Sequence, residues 1–304
     1  MLRSDTVRKI LSWYEGETPG LKSNLSRLLM HGRLAGTGRV VILPVDQGFE
    51  HGPARSFAPN PAAYDPHYLY ELAIEAGVSG YAAPLGLLEQ GADTFAGEVP
   101  LILKMNSGNS LASGSNDQAV TGTVEDAMRL GCVGVGFTIY PGSDSAYDML
   151  EELREISLKA KSRGLMTVVW SYPRGGKVTK DGETGLDIIA YAAHVAALMG
   201  ATIIKVKLPT EHIDLDAAKS SYEKHAILAA DAADRVRHIM QASFAGKRLV
   251  VFSGGAAKTR EELLDEVRGI RDGGGNGSII GRNSFQRPKA EALSLLNEVM
   301  DIYA

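Results

Sequence analysis

The sequence predicts a (β/α)8 barrel, a TIM barrel, with extra helices ahead of its first strand. Eight short apolar runs recur along the 304 residues. Helix-type periodicity fills the stretches between them. The runs are continuously apolar rather than alternating, as expected for parallel strands covered on both faces. Eightfold strand–helix alternation is the pattern of a closed barrel. An open, doubly wound sheet stays as the alternative, because strand count alone does not show closure.

The first sixteen residues place Val7, Ile10, Leu11 and Tyr14 on one helical face, so helices are expected at 3–15 and 20–31. They have no place in a minimal barrel and could plug its bottom or serve a subunit interface. The runs follow as VVILPVDQG (40–48), GYAAPLG (80–86), PLILKMN (100–106) and VGVGFTIY (133–140). The second half of the chain adds TVVWSY (167–172), TIIKVKLP (202–209), RLVVFSGG (248–255) and GSIIGRNSF (277–285). Two helix starts carry a hydroxyl with an acid three residues on, Thr123…Asp126 and Thr259…Glu262. Gly77, Gly131, Gly164 and Gly200 stand where helices should stop. No linker, low-complexity tract or clear internal repeat interrupts the chain. One domain over 1–304 is expected, with a helical extension over 1–35 and the barrel over 36–304.

Composition narrows the function. Hydrophobic residues make up 44% and charged residues 22%, which suits a globular chain with a large core. A net charge of −4 argues against a general attraction to nucleic acid or anionic membranes, while leaving room for a local phosphate pocket. No run approaches the roughly 18 apolar residues of a membrane span. Asp5, Glu15 and Glu17 argue against a transit peptide, so a cytoplasmic enzyme is expected. Cys132 is the sole cysteine and sits in an apolar run, reading as a buried thiol rather than a nucleophile. The seven histidines lack HxH or HExxH spacing, and the glycines form neither GxGxxG nor GxxxxGK[ST]. A zinc site, a dinucleotide site and a nucleoside triphosphate site are therefore not expected, nor is any cofactor or metal.

Barrel chemistry sits at the C-terminal ends of strands. There the sequence offers Asp46, Lys104, Trp170, Tyr172, Lys205, Lys207 and Arg282. A lysine inside an apolar strand is expensive to bury unpaired, and a structural ion pair is its ordinary explanation. Lys205 and Lys207 share a strand face. A lysine crowded by a second cation and apolar walls has a lowered pKa, which frees the amine to attack a carbonyl. Ser253, Gly254 and Gly255 end the seventh run, while Gly281 and Arg282 follow the eighth. That corner of a barrel commonly binds phosphate, although tight turns alone would also use its glycines. Tyr172 opposite a lysine, with Arg174 two residues on, reads as a proton donor beside an anion clamp; core packing is the bland alternative. Asp46 ends the first strand, where it could equally cap a turn.

In order, LPVDQGFEHGP, LKMN, GFTIYPGS, VVWSYPRGGK, IIKVK, FSGG and IIGRNSFQRP resemble the archaeal-type class I fructose-bisphosphate aldolases, the family that includes bacterial DhnA-type members. The resemblance runs from about Gly32 to Tyr303. It implies a Schiff-base lysine at Lys205, a choice over Lys207 that strand parity cannot make. It further implies a proton-transferring Tyr172, Trp170 packed on the substrate, and Asp46 near the substrate carbinol with His51 in the accompanying loop. Arg174 would hold one phosphate; Ser253, Gly254, Gly255, Gly281 and Arg282 would hold the other. The family commonly assembles into rings of subunits, up to decamers. The segment from Asp214 to Gly246 is longer than in the shortest members. The implied activity is reversible cleavage of fructose 1,6-bisphosphate, a step of glycolysis and gluconeogenesis. The alternatives are a related Schiff-base aldolase or transaldolase for another phosphorylated sugar, or a non-catalytic phosphosugar-binding protein.

Overall fold

The computed structural model describes residues 2–112, 116–253 and 258–304. Eight parallel strands close into a barrel: β1 (Val40–Pro44), β2 (Gly80–Pro84), β3 (Leu101–Lys104), β4 (Gly134–Ile139), β5 (Met166–Ser171), β6 (Ile203–Lys207), β7 (Leu249–Ser253) and β8 (Gly277–Ile279). Each is hydrogen-bonded to its neighbours in chain order, and β8 returns to β1 through Val40↔Gly277 and Ile42↔Ile279. Closure rules out the open doubly wound sheet.

The near-continuous apolarity of the strands now has its reason. Odd and even positions feed two separate cores. Val41, Leu43, Leu103, Val135, Val169, Ile204 and Val250 pack outward under the helices. Val40, Ile42, Ile102, Val168, Ile203, Leu249 and Val251 fill the barrel interior. The outer ring follows the alternation, with Pro66–Ala76, Ala146–Ser162, Leu186–Leu198, Ala232–Ala242, Arg260–Asp272 and Lys289–Tyr303 as its longer helices. After β2 and β3 only short helices form, Leu85–Glu89 and Val124–Arg129. Thr123 and Thr259 both make the full capping box with Asp126 and Glu262. Gly77, Gly131, Gly164 and Gly200 all take positive φ where a helix stops.

The two leading helices plug the bottom of the barrel. α1 (Asp5–Ser12) is capped by Ser4, and α2 (Pro19–Leu29) by Thr18 with Pro19 in its first turn. Val7, Ile10, Leu21, Leu25 and Leu28 share a core with the strand interiors. Tyr14 fastens them: its hydroxyl donates to Thr202 O at 2.6 Å and accepts from Leu249 N at 3.2 Å, at the starts of β6 and β7.

The run at 100–106 departs from its predicted single strand. The ladder stops at Lys104, and Asn106–Ser107 turns aside to pair antiparallel with Ala119–Val120. Asn106 causes the break, because its side chain replaces the ladder bonds to β4. Its Nδ2 donates to Thr138 O at 2.8 Å, and its Oδ1 accepts from Thr138 N at 2.7 Å. Cys132 is buried, and burial pushes its thiol up to about 12. Among the described residues no helix is long and apolar enough to cross a membrane.

Candidate active site

A cavity of about 690 Å³ opens at the C-terminal end of the barrel. Lys205, Tyr172, Asp46, Trp170, Arg174, His51, Ser253, Gly281 and Arg282 all line it. Gly254 and Gly255, expected beside Ser253, lie outside the described residues.

The alternation of β5 and β6 builds the floor. Trp170 pairs with Lys205 across the two strands, and both point inward. Trp170 is buried, and its indole Nε1 has no hydrogen-bond partner among the described residues. The indole can lie flat there because β4 carries Gly136 directly behind it.

Three lysines reach this region, and they differ in what holds them. Lys207 is ion-paired to Glu183 at 3.2 Å. Burial pulls its pKa down, against the hydrogen bond to Glu183 that raises it. Lys104 donates to the backbone oxygen of Asn106 and, at 2.9 Å, to Asn106 Oδ1. Burial brings it down to about 8. Lys205 is 5% exposed and makes no hydrogen bond or ion pair with a described residue. Its ammonium lies 5.4 Å from the ring centres of both Trp170 and Tyr172.

Tyr172 is half-buried, with its phenol oxygen free of hydrogen bonds to described residues. Arg174 stacks over Tyr140 at 5.0 Å and sits 5.9 Å from the Tyr172 ring. It also stands 3.8 Å from Glu50, which lies equally far from His51. Burial lowers the pKa of His51; Glu50 opposes this, and Arg282, Arg55 and Arg174 add to it. The imidazole is therefore held neutral among cations. Asp46 precedes the short helix Gln47–His51, yet its side chain makes no capping bond. The turn-cap alternative thus has no bond behind it, and Asp46 is among the residues that line the cavity.

Elsewhere in the lining Lys207 pairs in register with Ser253, and Lys258 joins with its ion-pair partner Glu266. Gly281 precedes Arg282–Phe285, a single helical turn rather than a long helix. A Cβ at Gly281 would stand 2.9 Å from Pro44 O, so glycine lets β8 approach β1 there. Among the described residues no three His, Cys, Asp or Glu side chains gather as a metal site requires.

Sequence reasoning assigned no task to Glu50, Arg55, Glu183 or Lys258. They sit on the short helices and turns that follow the strands, and their convergence depends on barrel closure rather than any local spacing. Lys104 did carry a signal, as a cation in an apolar strand, but without a partner at useful spacing.

The sequence model of the DeoC/LacD aldolase family matches residues 40–287. A fructose-bisphosphate aldolase class 1 of Thermoproteus tenax is 39% identical, over 83% of this chain and 86% of its own. A probable fructose-bisphosphate aldolase class 1 of Chlamydia muridarum is 34% identical, over 98% of this chain and 88% of its own. A solved archaeal fructose-1,6-bisphosphate aldolase, its catalytic lysine bound to the carbinolamine intermediate, superposes with a TM-score of 0.76 at 34% identity. That superposition covers 92% of this chain and 99% of the archaeal one.

Proposed function

The chain belongs to the DeoC/LacD family of aldolases, and from that membership we propose that it is a class I, Schiff-base fructose-bisphosphate aldolase with Lys205 as its nucleophile. It is a carbon–carbon lyase that reversibly cleaves fructose 1,6-bisphosphate to dihydroxyacetone phosphate and glyceraldehyde 3-phosphate.

One observation carries the choice of lysine. Attack on a carbonyl needs an amine whose lone pair is not committed elsewhere. Lys104 is tied to Asn106 and Lys207 to Glu183, while Lys205 has no such bond and faces the cavity over two aromatic rings. Lys205 Nζ attacks C2 of the open-chain sugar, and the carbinolamine loses water to leave an iminium. The C4 hydroxyl proton passes to a carboxylate as the C3–C4 bond breaks, and the bonding pair flows into the iminium to give an enamine. Asp46 is the acceptor in this reading. Tyr172, its hydroxyl uncommitted, carries protons to and from the bound substrate. The enamine is then protonated at C3, and water releases dihydroxyacetone phosphate.

A cavity lined by several cations, Arg55, Arg174, Lys258 and Arg282 among them, suits a substrate that carries two phosphates. In this reading Arg174 would meet one; Ser253, Gly281 and Arg282 would meet the other, and His51 lies within the field of both arginines. Trp170 closes the floor beneath the sugar chain. A homo-oligomer, up to a decamer, and a cytoplasmic location in central sugar metabolism complete the proposal. Tyr147 and Tyr191, on outer helices and 82% and 62% exposed, are the kind of side chains that subunit contacts cover.

Borohydride reduction with dihydroxyacetone phosphate, followed by peptide mapping, tests the assignment. The label should fall on Lys205 and abolish turnover. Label on Lys207 or Lys104, or none with activity intact, overturns it.

A further inference from the structure

Tyr140 is a buried ring beside the site that the steps above leave without a task. It directly follows β4 and is 4% exposed. The Arg174 guanidinium stacks on it, 5.0 Å from the ring centre. The Tyr140 hydroxyl accepts from Gln118 Nε2 at 2.7 Å, and Gln118 Oε1 lies 3.5 Å from the Lys104 ammonium. The ring is thus pinned through its hydroxyl while its face carries the cation. Stacking of this kind holds a guanidinium without consuming its N–H donors, so the fork remains for an anion. Glu50, the carboxylate paired with Arg174 among the described residues, stands at 3.8 Å, longer than a hydrogen bond.

The backbone serves the same end. The turn after β5 packs main chain to main chain on the turn after β4. A Cβ at Gly142 would stand 2.9 Å from Gly175 O and 3.0 Å from Arg174 O, and one at Gly176 would collide with Gly142 O. Gly175 and Gly176 both take positive φ, 77° and 60°, which side chains disfavour. These contacts fix where Arg174 leaves the chain, and Tyr140 fixes where its guanidinium ends. Register then suggests which phosphate it meets. Trp170 and Val251 are the partners of Lys205 on the two neighbouring strands. Ser253 lies two residues past Val251 and still within β7, which suits the phosphate on C1, next to the carbon that Lys205 attacks. Arg174 lies four residues past Trp170 and beyond the end of β5, which suits the phosphate on C6, at the far end of the sugar.

We propose that Tyr140 is a positioning residue that sets the preference for a sugar bisphosphate over a monophosphate: its ring holds the Arg174 fork in place for the C6 phosphate. The proposal rests on the reading of this chain as a fructose-bisphosphate aldolase in which Arg174 meets a phosphate. Tyr140 itself touches no reacting atom in this arrangement. It acts through Arg174, by sparing the guanidinium the loss of freedom on binding that a loose side chain would suffer.

The test compares kcat/KM for fructose 1,6-bisphosphate and for fructose 1-phosphate, both followed by release of dihydroxyacetone phosphate. The second sugar keeps the C1 phosphate and lacks the one on C6, so a loss confined to the bisphosphate reports the C6 end. Arg174→Ala should lower the bisphosphate value by about 10- to 150-fold and leave the monophosphate within about threefold. Tyr140→Leu should lower the bisphosphate value by about 3- to 30-fold, again sparing the monophosphate. Tyr140→Phe keeps the ring and should stay within about threefold on both. Phenylalanine bearing three ring fluorines in place of Tyr140 keeps the shape but weakens the negative ring face, and decides the matter if Tyr140→Leu does not fold. It should fall at least about threefold below Tyr140→Phe on the bisphosphate alone. No turnover of either sugar by the unaltered protein, or an Arg174→Ala protein that loses nothing or loses equally on both, removes the underlying reading and this proposal with it. Where Arg174→Ala is selective, three results overturn the proposal alone. These are a Tyr140→Leu protein unchanged or lowered equally on both sugars, a Tyr140→Phe loss as large as that of Tyr140→Leu, or a fluorinated ring that behaves like Tyr140→Phe.

Discussion

Replacing Gly136 with alanine tests whether the Trp170 floor is what holds the site in register. Gly136 lies on β4, behind the indole. A Cβ there would stand 2.6 Å from Trp170 Cη2 and closer still to Cζ3. Carbon atoms in ordinary contact keep about 3.5–4.0 Å, so the ring must move by about 1 Å. It has little room to do so, since Trp170 is 1% exposed and packed among barrel residues. Overpacking of this kind destabilises by about 1–3 kcal/mol, which for a chain of this size lowers Tm by several degrees. The larger effect should be on rate. Lys205 Nζ lies 5.4 Å from the indole centre, so a shift of about 1 Å carries into the geometry of the nucleophile, where such errors reduce rate by roughly 10²-fold. Cleavage of fructose 1,6-bisphosphate in a coupled assay gives kcat/KM, and calorimetry gives Tm. Gly86→Ala is the control, because an added Cβ there meets nothing within 4 Å. A Gly136→Ala protein with kcat/KM within twofold and Tm unchanged would refute the reasoning, and Trp170 would then be filler rather than a template.

Tyr172→Phe should lower kcat by about 10² to 10⁴ while leaving Tm and KM nearly unchanged, since the lost hydroxyl bonds no described residue and the ring remains. A kcat within a few fold would move proton transfer to Asp46 or a water. Arg282→Ala should raise KM for the bisphosphate, because each charge-assisted bond to phosphate is worth about 1.5–3 kcal/mol, or roughly 10- to 150-fold; an unchanged KM would assign Arg282 to structure. Excess chelator should leave turnover intact, since the iminium supplies the electron sink that a Lewis-acid metal would otherwise provide. Loss on chelation, restored by zinc or manganese, would reverse that reading.

The barrel was legible because parallel strands and amphipathic helices leave strong local marks, and the caps at Thr123 and Thr259 were readable within four residues. The site was legible in part for the same reason: Asp46, Trp170, Tyr172 and Lys205 sit at strand ends, where parity and position constrain them. Strand parity could not separate Lys205 from Lys207, because both point inward. The difference lies in Glu183, which reaches Lys207 from a loop more than twenty residues earlier in the chain. Asn106 was unreadable for a similar reason. An asparagine that leaves its ladder to bond Thr138 looks in sequence like any other strand-end residue.

The plug beneath the barrel sets an order of assembly. The apolar faces of α1 and α2 are synthesised before the barrel, and their anchor Tyr14 finds its acceptor and donor on residues 188 and 235 positions later. At translation rates of about 5–20 residues per second, that leaves the helices unroofed for roughly ten to fifty seconds. Until β7 emerges, Leu21, Leu25 and Leu28 have no closed barrel bottom to cover, and the nascent chain carries an uncovered apolar segment. A circular permutant that begins just before β1 and carries these helices after the last strand would place them after the strands they seal and remove that interval. Its yield on folding, compared with the native order, would measure how much of this protein's folding burden comes from making its stopper before its bottle.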